Sequence, residues 1–261
     1  MTAAAHLASV WSRARSRIAR SFGYPDTGFH CDRILRRLAW DLVSSGSVTS
    51  FVETGTYLGD TSLCVSRINI GLPVFTCEIN GRYYDIARRR LAGRDNVHIV
   101  HDASRNFLPR VLENRSCGNR PLFLLDAHWY DDWPLVEEIR IITGRLTECI
   151  IIIDDFLVPG KPQFQFDVGG GGGKRFSGRT TLDQRPCDLD LIRPALDRRH
   201  RYRAWLPNYC RADAFPGPPL VASLFPLRGY VVIEQNGDGR SGSAVQGLIP
   251  ASFYTSQNIT G

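Results

Sequence analysis

The chain has 261 residues, 43% hydrophobic and 22% charged, enough for one sizeable core and too few for two comfortable domains. Its formal charge of +6 comes from 32 Lys and Arg against 26 Asp and Glu, dispersed rather than gathered into a basic, aromatic tract, so nucleic acid is not an expected partner. No apolar run is long enough for a bilayer span or a signal-peptide core, which argues against stable membrane insertion and for a soluble, cytoplasmic chain. The seven cysteines are scattered, with no C-x-x-C pair, and fit reduced thiols better than a zinc site or a disulfide framework.

Residues 4–20 place Leu7, Val10, Trp11, Ala14 and Ile18 at helical spacing with Arg13, Arg15, Arg17 and Arg20 interleaved. A docked helix is preferred there over a membrane-surface or targeting one. A second helix is expected over 32–43, where Ile34, Leu35, Leu38 and Leu42 share a face. Residues 1–45 thus read as a helical extension and 46–261 as the main domain. Five β-rich runs follow, at 50–53, 74–79, 97–101, 122–126 and 149–154, alternating with helical patterns near 60–67, 82–91, 104–114 and 134–146. That rhythm predicts an α/β, doubly wound, mostly parallel sheet. Residues 156–200 interrupt it as a mobile insertion or cap containing the pentaglycine run 169–173, which has a large ordering entropy. A helix is expected near 188–198, and two late β-like runs, 202–206 and 229–234, would close the sheet.

In open α/β sheets ligands bind beyond the carboxyl ends of the strands. The first strand ends in Glu53-Thr54-Gly55-Thr56-Tyr57-Leu58-Gly59, where glycines allow a sharp turn and close backbone approach to a ligand, though such turns are also purely structural. Tyr57 stands where a dinucleotide G-x-G-x-x-G has its second glycine, which weakens a nicotinamide dehydrogenase reading. Glu78 ends the second strand and is placed to accept from both ribose hydroxyls of a nucleoside, or to be a solvated strand-end carboxylate. Asp102-Ala103-Ser104 suits either an adenine edge or a helix cap. Leu125-Asp126 and Ile153-Asp154-Asp155 would bring three carboxylates together on adjacent strands. A hard divalent cation is the usual remedy for such repulsion, and helix capping is the competing account.

These residues, in order and spacing over roughly 48–160, resemble the class I S-adenosylmethionine-dependent methyltransferases, and within them the metal-dependent catechol O-methyltransferase-like group. The resemblance rests on Glu53-x-Gly55-x-Tyr57-x-Gly59, Thr76-Cys77-Glu78-Ile79-Asn80, Ala103-Ser104, Leu125-Asp126 with His128-Trp129, and Asp154-Asp155 with Val158-Pro159-Gly160. It implies a seven-stranded sheet whose last strand is antiparallel. It also implies that Glu53, Gly55, Tyr57 and Gly59 hold the methionine part of S-adenosylmethionine and Glu78 its ribose, with Ser104, His128 and Trp129 around the adenine. Asp126 would border the cofactor and, with Asp154 and Asp155, ligate a cation, magnesium first. Tyr130 stands where the catechol enzymes have a lysine general base, so His128, Tyr130 or a metal-activated hydroxyl is left to take the acceptor's proton.

The reaction implied is in-line methyl transfer to a small-molecule hydroxyl. Closure of the 169–173 loop over the site and an unstructured insertion are equally compatible with the glycines. Phe164, Phe166, Trp133 and Trp205 are candidates for an apolar acceptor wall or for core packing. Rival readings are a sugar or natural-product O-methyltransferase of the macrocin or cephamycin-pathway type, and a non-catalytic nucleoside-binding domain. Association as a homodimer stays open.

Overall fold

A computed structural model of the chain describes residues 14, 17, 21, 27–113, 116–127, 133–169, 185–215, 223, 225–237 and 247–251. Of the helix expected over 4–20, only Ala14 and Arg17 fall within that set, and both are helical. Helix α1 (Arg33–Ser44) matches the second expected helix and buries Leu35, Leu38, Ala39, Leu42 and Val43. It starts at Asp32, whose Oδ1 accepts the Ile34 and Leu35 backbone N–H groups at 2.8 and 3.1 Å, satisfying donors that a helix start otherwise leaves open.

Strand and helix then alternate: β1 (Phe51–Thr54), α2 (Asp60–Ile68), β2 (Val74–Glu78), α3 (Gly81–Leu91), β3 (Val97–His101), α4 (Ser104–Glu113), β4 (Leu122–Leu125), α5 (Leu135–Arg145) and β5 (Cys149–Asp154). Three later strands complete the sheet: β6 (Tyr202–Pro207), β7 (Tyr230–Gln235) and β8 (Leu248–Ala251). The order is β8-β6-β7-β5-β4-β1-β2-β3. Strands β1 to β5 are parallel; β7 runs antiparallel between β5 and β6, and β8 is antiparallel to β6. Strands β4, β5 and β7 are buried at every residue, as an apolar run such as Ile150 to Ile153 requires of a sheet covered on both faces. Chain direction reverses its progress across the sheet between β1 and β4, the switch point at which a crevice opens.

Three expectations need correction. The sheet has eight strands, not seven, because residues 248–251 add an edge strand opposite Ala204 to Pro207. Pro250 in that strand is tolerated because an edge strand does not need every N–H. The helix expected near 188–198 is two short turns, Leu189–Ile192 and Arg193–Ala195, since Pro194 lacks the N–H that would continue the first. The first strand lies one residue later than the pattern 50–53 suggested.

The described parts of the expected insertion pack against the sheet, with Phe156, Val158, Phe164, Val168, Cys187 and Ile192 all buried. Gly169 pairs with Arg185 in a two-stranded ribbon, while 170–173 lie outside the described residues. Among the described residues, no helix is long and apolar enough to cross a membrane.

Asp32 anchors more than the start of α1, because Tyr209 donates its hydroxyl to Asp32 Oδ2 at 2.5 Å and lies 3.2 Å from the Tyr230 hydroxyl, all three buried. Burial pushes the Asp32 carboxyl up, and the Tyr209 and backbone hydrogen bonds oppose that shift. Asp32→Ala removes the cap, worth about 1 kcal/mol, and strands the Tyr209 hydroxyl, worth about 1–3 kcal/mol. Denaturant unfolding is expected to show a loss of about 2–4 kcal/mol, with Asp32→Asn retaining most of the stability.

Candidate functional site

The turn after β1 is made by glycine where only glycine fits. At Gly55 (φ 87°) a β-carbon would lie 2.4 Å from the Asp126 carbonyl oxygen, and Gly59 (φ 78°) precedes α2. Between them Tyr57 is itself left-handed (φ 50°), and its N–H donates to Glu78 Oε2 at 2.7 Å. Glu78 Oε1 accepts the Asn80 N–H at 2.8 Å. This carboxylate, 7% exposed, thus ties the glycine turn to the end of β2, and burial raises its pKa. Each of its oxygens has a second lone pair, the capacity two vicinal hydroxyls would use. Asn80 caps α3 through the Arg82 and Tyr83 N–H groups. Beside it Ile79 is 59% exposed, an apolar surface at the crevice edge.

Other expected residues take other places. Glu53 is fully buried, and its Oε2 accepts from Ser62 Oγ at 2.6 Å and Thr76 Oγ1 at 2.8 Å, so it binds β1 to α2 and β2. Burial pushes its pKa up to about 7. Ser104 is buried at the start of α4, and Asp102 accepts from the Ala103 N–H and Asn106 Nδ2 and pairs with Arg110. His128, Trp129 and Tyr130 lie outside the described residues. Phe164 and Trp205 are in the core, Phe164 edge-on to Tyr209, so for these two the packing account holds.

The acidic residues divide. Parallel register of Leu125 with Ile153 sets Asp126 and Asp154 side by side at the ends of β4 and β5. Asp154 is buried, its Oδ2 is 2.7 Å from His30 Nε2, and its Oδ1 has no hydrogen-bond partner. Asp126 Oδ2 is 4.0 Å from the same His30 nitrogen. Potential ligand atoms of His30, Asp126 and Asp154 all lie within 4.8 Å of one another. Asp155 turns away from this group: its backbone is left-handed (φ 52°), and Arg228 Nη1 donates to both of its oxygens. Burial favours loss of the Arg228 proton, yet Asp155, Asp154 and Asp126 together hold the guanidinium charged.

Neither His30 nor Arg228 is singled out by any sequence pattern. His30 sits 124 residues from its partner in a turn without a motif, and Arg228 carries no spacing signal beyond a lone cation before a late strand. The turn is unusual: Phe29, His30 and Cys31 are consecutive non-glycine residues at φ 53°, 54° and 65°.

The chain matches the O-methyltransferase from Bacillus cereus solved in complex with SAH at 16% identity and a TM-score of 0.52, over 86% of this chain and 90% of that one. It matches the O-methyltransferase TomG from Streptomyces achromogenes, involved in tomaymycin synthesis and solved with SAM, at 15% identity and a TM-score of 0.52, over 87% and 89%. The fold is the Rossmann-like methyltransferase fold. No family model and no curated protein sequence matches the chain.

Glu53 makes stability depend on pH. Its folded pKa of about 7 lies above its ordinary value of 4.5, so the folded state holds the extra proton between those values and stability falls as pH rises through that window. Glu53→Gln removes the ionisation. Its thermal stability relative to wild type is expected to rise from pH 4.5 to about 7 and level off above, read by melting at matched pH; a pH-independent difference would refute this.

Proposed function

We propose that the chain is an S-adenosylmethionine-dependent O-methyltransferase of the metal-assisted, catechol O-methyltransferase-like kind, acting on a small-molecule hydroxyl. The observation that carries this reading is Glu78: a buried carboxylate at the end of β2 that grips the Gly55–Tyr57–Gly59 turn and keeps acceptor capacity for a ribose. That both solved structures named above hold SAM or SAH supports it.

In this reading the cofactor supplies an activated methyl group, and the chain supplies alignment. The turn from Gly55 to Gly59 brings backbone close to the methionine part, Glu78 accepts from the ribose, and exposed Ile79 lies against the base. Asp126 and Asp154 fit a divalent cation, because one Asp154 oxygen is buried with no hydrogen bond, a state a carboxylate rarely keeps without a positive partner. Such a cation lowers the pKa of an acceptor hydroxyl when bound. Arg228 holds Asp155 and stabilises the negative charge around it. His128 and Tyr130 are the candidates to take the acceptor's proton.

Calorimetry with S-adenosylhomocysteine tests the reading. Wild type is expected to bind in the micromolar range, Glu78→Ala about tenfold or more weaker for loss of charge-assisted hydrogen bonds, and NAD not at all. Wild type that binds NAD and not S-adenosylhomocysteine would overturn it.

A further inference from the structure

The resemblance assigns the third protein ligand of the cation to Asp155, but the structure commits that side chain elsewhere. Asp155 is fully buried and both of its oxygens receive Arg228. What stands beside Asp126 and Asp154 instead is an imidazole from the other end of the chain. His30 Nε2 is 2.7 Å from one Asp154 oxygen and 4.0 Å from Asp126 Oδ2. With bonds of about 2.1 Å to an octahedral ion, two ligands are about 3 Å apart when adjacent and about 4.2 Å when opposite; the 4.0 Å separation falls in that range, and the 2.7 Å one is a direct hydrogen bond that an entering ion would open by a few tenths of an ångström. The orphaned, buried Asp154 Oδ1 is the independent sign that a positive group belongs here.

We propose that His30 takes the place of Asp155 as the third protein ligand, and that the resulting imidazole and dicarboxylate set prefers a first-row transition cation such as Mn2+, Fe2+ or Co2+ over Mg2+. The preference follows from ligand chemistry. Magnesium takes oxygen ligands almost exclusively and gives up water reluctantly, whereas an imidazole nitrogen binds the softer divalent ions well. The ring is held for the task from both sides: Phe29 is buried with its N–H on Thr61 Oγ1 at 3.2 Å, and Asp32 is locked by Tyr209 and the start of α1. The proposal rests on the metal-assisted part of the reading above and is independent of which small molecules the crevice accepts.

Mn2+ is the probe. His30→Asn removes the imidazole while asparagine tolerates the left-handed backbone, and circular dichroism with thermal melting checks that the variant folds. His128→Ala is the companion, since His128 is the histidine nearest Asp126 in sequence. Wild type is expected to bind one Mn2+, to keep it against about tenfold excess Mg2+, and to show imidazole-nitrogen coupling in pulsed electron paramagnetic resonance. That coupling should survive in His128→Ala and vanish in folded His30→Asn, with Mn2+ affinity down about tenfold or more. The proposal falls if wild type binds no Mn2+, if Mg2+ displaces Mn2+ at equal concentration, or if the nitrogen coupling persists in His30→Asn. His30-dependent Mn2+ binding in a protein that ignores S-adenosylhomocysteine would uphold this site and sink the methyltransferase reading.

Discussion

Negative charge has to be accommodated at the end of an apolar sheet, and much of the site's architecture follows from that requirement. Asp126, Asp154 and Asp155 lie at the carboxyl ends of β4 and β5, next to strands buried at every residue. Carboxylates in such surroundings either neutralise or find positive partners. This chain separates them. A left-handed turn at Asp155 sends that carboxylate to Arg228, which arrives just before β7, while Asp154 meets His30, which arrives just before α1. Two segments far apart in sequence are thereby pinned to one corner of the sheet.

The His30 side of this arrangement stores strain. Left-handed backbone disfavours each non-glycine residue by about 1–2 kcal/mol, so three in succession amount to about 3–6 kcal/mol. The turn persists because its neighbours over-determine it. Phe29 packs edge-on to Phe51 in the core, Cys31 is buried, and Asp32 ties the next residue to α1, Tyr209 and, through Tyr209, Tyr230. Strain at that level persists only where the surrounding packing and hydrogen bonds over-determine the backbone, as they do here. Gly229 serves the Arg228 side in an analogous way: a β-carbon there would lie 2.0 Å from the Phe156 carbonyl oxygen, so the segment bearing Arg228 closes directly onto the exit of β5.

How much of this could be read from sequence depended on whether the deciding contact was local. Alternating β and helical periodicity located all five parallel strands, because burial on both faces leaves a continuous apolar run such as Ile150 to Ile153. Glu78 and the glycine turn were legible because strand-end position and residue type suffice to suggest them. Glu53 looked the same in sequence as a ligand-facing carboxylate, yet it faces Ser62 and Thr76; one residue of register along β1 decides the difference, and no motif records register. Asp154 and Asp155 were likewise indistinguishable until a single φ at Asp155 parted them. His30 and Arg228 were illegible for a third reason, since their roles come from contacts 124 and 73 residues away. The eighth strand was missed because a four-residue edge strand containing proline lacks a periodic signal.

The glycine turn and Glu78 belong to β1 and β2, and the acidic corner to β4 and β5. What fixes the distance between them is backbone, not side chain: Gly55 rests against the Asp126 carbonyl with no room for a methyl group, and the Asp126 N–H donates to the Thr54 carbonyl at 3.1 Å. A displacement reaction is sensitive to the separation of its reacting atoms on the scale of an ångström. A site whose two halves meet through adjacent strand ends inherits the rigidity of the sheet in that coordinate. For the methyl transfer proposed above, variation in the acceptor can then be left to the segments around the crevice, the turn carrying His30 and the residues that follow β5, without loosening that alignment.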